Sequence, residues 1–269
     1  MMYLAQNYTK YPLWLTIDVE ELEDANFGIQ PKKKLHIDYA YLIDRWIGLC
    51  SKYDIHSTAF VLGSFAKKYP HLVRKLHEAG HEIASHGMYH ELIYKIPFKE
   101  WKSQTIQAKK ILEDLIGKEV RGYRSPSWTL PFEKKYYSTL RAMGFYYSSS
   151  YFPFKTYMYG NTIDKKEPFA IYTEHGKITE IPIPKYILPF SGGFYMRILP
   201  FWFIRYAMQK LINKGYKPII YTHPYELLDN LFFKYIKDVK FDMAYILTFA
   251  HSANSLQRFK MLLEIYKDR

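Results

Sequence analysis

The decapeptide HEIASHGMYH, residues 81–90, carries three histidines and a glutamate. His86 and His90 are four residues apart. In a helical turn that spacing sets both rings on one face, with Cβ atoms about 5–6 Å apart. Two imidazoles so placed can chelate one divalent metal. A metal site needs further ligands, commonly a carboxylate and water. Alone, the His-x-x-x-His pair also fits a surface or core pair.

A second group of candidates lies in LTIDVEE, where an apolar run leads into Asp18, Glu20 and Glu21. An unpaired buried charge is costly, so carboxylates at the buried end of a strand need a reason. Strand alternation puts Asp18 and Glu20 on the same side. One can bind metal while the other handles protons. The competing reading is an acidic helix N-cap, favoured by the helix dipole. In GYRSPSW, Arg124 is a fixed cation able to hold a carboxylate in place. Pro126 interrupts the strand ladder there and leaves the backbone N–H of Ser127 or Trp128 free to point into a site. In IIYTHPYE, His223 ends an apolar strand and precedes Pro224, a position suited to a general acid; a lone histidine there can equally be structural.

The elements that must position these groups alternate. Strands are expected at Leu13–Val19, in HSTAFVLG, in HEIAS, in VRGYRSPSW, in GFYYSSS and in KPIIYTH. Helices are expected at Tyr39–Tyr53, in HLVRKLHEAG, at Phe98–Ile116 stopped by Gly117, at Glu133–Met143, at Pro200–Lys214 and at Ser255–Tyr266. Residues 160–185 read as hairpins. Such alternation implies a mostly parallel sheet wrapped by helices. Asp18, His86, Arg124 and His223 each fall just past a strand end, the edge where parallel α/β folds build their sites.

The bulk composition narrows the classes. The 269 residues suit one large domain or two small ones, and 48% hydrophobic content allows a sizeable core. The aromatic content, 27 Tyr included, suits sugar binding or simply Tyr-rich packing. The formal charge of +12 favours anionic partners such as phosphorylated or lipid-pyrophosphate substrates and acidic membrane surfaces. The lysines are scattered, no nucleic-acid-binding motif accompanies them, and no nucleic-acid partner is expected. Cys50 is the single cysteine, so no intrachain disulfide or cysteine zinc site can form. The first twenty residues lack a basic region followed by a long apolar run, which makes the cytoplasm, or the inner face of its membrane, the expected compartment. The stretch ILPFWFIRYAMQKLINKGYK could touch a membrane surface but is too interrupted to span one; a core helix is the alternative.

Taken together, these segments resemble the polysaccharide deacetylases of the NodB-homology type (carbohydrate esterase family 4). TIDVE resembles the first motif of that family, GHEIASHGMYH the second, RSPSW the third and IIYTHPYE the last. The variants TIDVEE, SGGFYMRILP and HPYEL look closest to the branch found in exopolysaccharide and O-antigen clusters. The resemblance covers roughly residues 10–230. It implies a distorted (β/α) barrel of about seven strands, with residues 1–269 as a single catalytic domain. It implies one divalent metal, zinc before cobalt, nickel or another ion, and removal of an N-acetyl or O-acetyl group from a sugar. By position it implies Asp18 as general base, His86 and His90 as metal ligands, His223 as general acid, and Arg124 as the residue that orients Asp18. A backbone N–H near Ser127 or Trp128 would help hold the oxyanion.

The resemblance fails at two places. Val19 follows Asp18 where the family places a second aspartate, so the third ligand falls to Glu20, with Glu21 as the weaker substitute. Tyr147 stands where the family has an aspartate that braces the acid histidine; either another carboxylate, with Glu226 the candidate, or a tyrosine hydroxyl is then the brace, or activity is reduced. His81 is expected to be a structural hydrogen-bonding residue. Ser127, Trp128, Tyr147, Phe194 and Tyr195 are the expected substrate contacts, within or beside the loops Phe152–Tyr159 and Ser191–Tyr195. The expected substrate is a nucleotide- or undecaprenyl-linked acetylated sugar, with peripheral contact to the inner membrane. Two rival readings share the residues: a deformylase on a lipid-linked formamido sugar, and a carbohydrate-binding pseudoenzyme.

Overall fold

The computed structural model describes residues 2–26, 36–228 and 255–266. The strand β1 (Trp14–Val19) is buried at every position, as its run of apolar and β-branched residues requires. It lies between β2 (Thr58–Val61) and β8 (Ile219–Thr222), parallel to both. The sheet continues through β3 (Glu82–Ser85), β4 (Gly122–Tyr123), β5 (Tyr147–Ser148) and β7 (Gly176–Glu180), and ends on β6 (Phe169–Thr173). Seven strands are mutually parallel; β6 alone runs antiparallel, as one arm of a hairpin with β7.

The eight-stranded sheet curls into an incomplete barrel. After β7 the chain follows residues 148–151 through Ile181 and Ile183, then reaches the opposite edge, where Gly192 bridges Tyr221. One segment therefore runs from beside the end of β5 to the β8 edge of the sheet. The fold is the distorted barrel that the sequence leads one to expect, with its seven parallel strands and one added edge.

Helices cover the outer face. They are α1 (Tyr39–Lys52), α2 (Gly63–Lys68), α3 (Pro70–Glu78), α4 (Phe98–Ile116), α5 (Lys134–Ala142), α6 (Gly193–Ile198), α7 (Phe201–Asn213) and α8 (Ser255–Tyr266). Their ends follow local chemistry. The Asp38 carboxylate caps α1 by accepting from the Tyr41 N–H, and Gly117, at φ 65°, stops α4 in the left-handed region. The short helices α2 and α6 were not expected; six residues carry too few turns for a legible apolar period. The strands β4 and β5 are shorter than expected, two residues each, because the chain turns at Pro126 and at Ser149–Ser150 to build the site.

The main core lies between sheet and helices and includes Leu42, Trp46, Leu76, Leu112 and Leu211. The barrel interior has its own aromatic layer. Trp14, Phe60 and Tyr147 meet there edge to face, with ring centroids 6.0–6.2 Å apart. This layer plugs the barrel and forms a floor under the groups at the C-terminal strand ends.

Candidate active site

Directly above the aromatic layer lies Arg124, fully buried, its guanidinium 4.0 Å from the Phe60 ring centroid. Its Nη1 donates to Asp18 Oδ1 at 2.6 Å and to Thr16 Oγ1 at 2.9 Å, and its Nη2 donates to Ser149 Oγ at 3.2 Å. Asp18 is thereby fixed on three strands at once. It opens onto a cavity of about 300 Å3 that also receives Glu20, His86, His90, Ser127, Trp128, Tyr195 and His223.

Glu20 is the centre of the polar wall. It is 1% exposed, and its Oε2 accepts no hydrogen bond. That oxygen lies 2.9 Å from His90 Nε2 and 3.5 Å from His86 Nε2. Burial alone would raise the Glu20 carboxyl. The surrounding imidazoles of His90, His223 and His86 reverse this and hold it well below the usual carboxylate range. His90 is raised in turn: burial opposes its charge, and Glu20 outweighs burial.

The two histidines do not share a helical turn. Residues 86–90 form a loop, with Gly87 at φ 85°, and the rings come within 5.3 Å of each other through that loop. This corrects the helical expectation; the i, i+4 spacing works here because a left-handed glycine folds the chain back. His86 Nδ1 donates to the Arg124 carbonyl at 2.9 Å, which leaves Nε2 as the lone-pair nitrogen of the neutral ring. The Asn26 amide stands 3.0 Å from His90 Nδ1.

A divalent cation fits this donor set. One ligand atom each from Glu20, His86 and His90 lie within 4.8 Å of one another, and the orphaned Glu20 oxygen faces both imidazoles. Two imidazoles and a carboxylate with further positions open are the donors of catalytic zinc sites. Glu21 does not share the cluster; its carboxylate pairs with Lys68 at the surface.

His223 stands on the other side of Glu20, its Nε2 3.8 Å from Glu20 Oε1. Its Nδ1 lies 2.9 Å from Glu226 Oε2, and its backbone N–H donates to the same oxygen at 3.1 Å. Arg197, from α6, donates to the other Glu226 oxygen. Burial works against the His223 imidazolium, but Glu226 and Glu20 push its pKa up to about 9. Glu226 itself stays ionised: burial raises it, and Arg197 and His223 bring it below its ordinary range. The brace for His223 is therefore Glu226, three residues on. Arg197 is a site residue that the sequence reading did not name, as are Asn26, Tyr221 and Tyr225, whose hydroxyl donates to Glu20 Oε1 at 3.2 Å.

Tyr147 does not join the cavity. It lies one layer below, fully buried against Trp14, and its hydroxyl donates to Glu82 Oε1 at 2.9 Å. The expected substrate contact at Tyr147 is corrected accordingly: its strand turns its side chain into the barrel beneath Arg124. Trp128 and Tyr195 line the cavity beside Tyr159 and Tyr221, with Trp128 packed 4.7 Å from Tyr221. The Trp128 indole N–H has no partner among the described residues. Ser127 and Trp128 both have positive φ, 48° and 50°, so this turn is strained where it faces the cavity. The Phe194 side chain lies outside the described residues.

Comparison with known proteins agrees with these motifs. The model of the family described as "Polysaccharide deacetylase" matches residues 36–148. Those residues therefore carry a polysaccharide deacetylase domain. A second model, "Domain of unknown function (DUF3473)", matches residues 149–267. Among curated polysaccharide deacetylase relatives, the "Peptidoglycan deacetylase" of Helicobacter pylori is 29% identical over 86 residues, covering 32% of this chain and 29% of that protein. The "Peptidoglycan-N-acetylglucosamine deacetylase" of Bacillus cereus is 31% identical over 75 residues, covering 28% and 27%. The chain thus spans less than a third of either curated relative. Among solved structures, a "probable Polysaccharide deacetylase" from Pseudomonas aeruginosa PAO1 superposes with a TM-score of 0.61 at 15% identity, covering 99% of this chain and 93% of that one. "Puue Allantoinase" gives 0.60 at 17% identity, covering 97% and 86%. These two likenesses concern the fold.

Proposed function

We propose that this polysaccharide deacetylase relative is a metal-dependent hydrolase that removes an acetyl group, N-acetyl first, from a sugar. The observation that carries this reading is the meeting of Glu20, His86 and His90 within 4.8 Å, in one cavity with Asp18 and His223. Glu20, His86 and His90 would hold the ion. When bound, such an ion polarises an acyl carbonyl and acidifies water. Asp18, held in place by Arg124, takes the proton of the attacking water at its carboxylate. His223 gives the proton at Nε2 to the leaving amine, with Glu226 fixing its orientation at Nδ1. The Trp128 N–H already donates to the Ser125 carbonyl at 3.2 Å, which leaves the Ser127 N–H as the backbone donor for the developing oxyanion.

The aromatic wall of Trp128, Tyr159, Tyr195 and Tyr221 supports a sugar ring as the occupant. The cavity is at the small end for ligand pockets, which suits one sugar unit at a time. The whole chain from 1 to 269 is read as one catalytic unit, because the β5–β7 and β1–β8 pairings carry the sheet across the junction of the two family models. Zinc is the favoured ion, ahead of cobalt and nickel. A nucleotide- or undecaprenyl-linked substrate, met on the cytoplasmic side, is supported by the net charge of +12.

The test is metal content by elemental analysis after mild dialysis, followed by deacetylase assays. About one equivalent in the wild type, lost in His86→Ala and His90→Ala, is expected. Asp18→Asn should keep the metal and lose turnover; an active Asp18→Asn protein would remove the base assignment. Absence of metal even after adding zinc, cobalt or nickel would favour a carbohydrate-binding module. Parallel assays on acetamido and formamido sugars separate deacetylase from deformylase.

A further inference from the structure

The face formed by α6 and α7 is defined by what it exposes and what it lacks. Between Ile181 and Tyr225 the basic residues are Lys185, Arg197, Arg205, Lys210, Lys214 and Lys217, and there is no aspartate or glutamate. Within the same stretch Ile187, Leu188, Ile198, Trp202 and Tyr206 are exposed, Trp202 by 69%. Trp202 and Tyr206 are one turn apart on α7 and share a side with Arg205, while Ile204, Ala207, Met208 and Leu211 fill the buried side. The Lys210 ammonium lies 5.2 Å from the Tyr206 ring centroid. The Tyr186 ring packs on Tyr206 at 5.7 Å and ties the Ile187–Leu188 loop to this face. Arg205, Lys210 and Lys214 pair with no carboxylate among the described residues.

Single exposed apolar residues are ordinary. Clustered aromatic and aliphatic side chains ringed by cations are the make-up of a surface that lies on a membrane. A second copy fits poorly: a two-fold contact sets the same patch against itself and would bring these cations together. No helix among the described residues is long and apolar enough to cross a membrane.

We propose that the α6–α7 face docks on an anionic lipid surface, with Trp202, Tyr206 and the Ile187–Leu188 loop entering the headgroup region and Arg205, Lys210 and Lys214 meeting lipid anions. Gly193 and Tyr195 of α6 line the cavity, so docking here sets the mouth of the site beside the lipid headgroups. The docking stands independently of the metal and of the reaction.

The test is cosedimentation of the full chain with phosphatidylcholine vesicles, with and without phosphatidylglycerol. Binding to the mixed vesicles, weak binding to phosphatidylcholine alone and release by salt are expected. Trp202→Ser with Tyr206→Ser should lower partitioning more than about tenfold. Arg205→Gln with Lys210→Gln and Lys214→Gln should lower it roughly 100-fold. Trp202, Arg205, Tyr206 and Lys214 are exposed and Lys210 is half-buried, so thermal midpoint and metal uptake should stay close to wild-type values in both variants. No binding to mixed vesicles, or equal binding by the variants, overturns the proposal. So does a concentration-dependent dimer that the Trp202 and Tyr206 changes abolish while vesicle binding stays absent. Metal uptake is measured separately, so failure of the docking and failure of the proposed reaction are distinguishable.

Discussion

Two carboxylates sit at opposite ends of the same barrel, separated by the Trp14–Phe60–Tyr147 layer. Glu20, past the C-terminal end of β1, is surrounded by His86, His90 and His223, and one of its oxygens has no hydrogen bond. Glu82, at the N-terminal end of β3, accepts from neutral donors, the Tyr147 and Thr58 hydroxyls and the Gln6 N–H, with the Arg121 charge the smallest influence on it. Burial raises Glu82 and these donors only temper it, whereas Glu20 is driven well below its ordinary range. The imidazoles divide in the same way. His223 is pushed up to about 9, while burial and His56 bring His81 down to about 4, with its Nδ1 accepting from the Ser57 N–H. Burial of an ionisable group therefore does not mark a site by itself. What marks it is a titratable partner of opposite sign and a polar atom left unsatisfied.

The largest expected effect comes from erasing the charge at the upper end. Glu20→Gln should weaken divalent-metal binding more than about 100-fold, read by calorimetric titration of zinc into metal-free protein. Unchanged affinity would shift the third ligand away from Glu20. Next is the brace. Glu226→Gln should lower kcat about 100-fold with little change in KM, because general-acid help is lost while the cavity is kept. A KM effect alone would make Glu226 a packing residue.

At the lower end the effects are on stability. His81 is neutral in the folded state down to about pH 4 and protonates near its ordinary value when unfolded. The unfolded chain therefore binds more protons between about pH 6.5 and 4, and stability falls as pH falls through that window. The loss should approach about 3 kcal/mol by pH 4, seen as a lower urea midpoint, and should shrink in His81→Gln. Smallest is Tyr147→Phe. It removes one donor from Glu82 and should cost about 1–2 kcal/mol in denaturant unfolding while leaving zinc affinity alone. A loss of metal in that variant would mean the two ends are not separate.

Much of this was legible from residue order. Parallel strands put every residue just past a strand end on one edge, so LTIDVEE, SHGMYH, GYRSPSW and IIYTHPYE announced a shared site before any coordinates. Strand alternation paired Asp18 with Glu20, and Gly117 ended α4 where its left-handed preference requires. Sequence could not say how His86 and His90 meet, because spacing alone does not separate a helical turn from a loop folded at Gly87. It could not join Arg197 to Glu226, which lie 29 residues apart on different elements. Nor could it place Tyr147, whose two-residue strand gives no period from which to read the side chain's direction. Sequence thus determined which chemical groups reach the C-terminal edge, because strand direction and alternation are local. Only the tertiary structure decided which of them touch, because burial, partner charge and the last ångströms of approach depend on every element that packs around them.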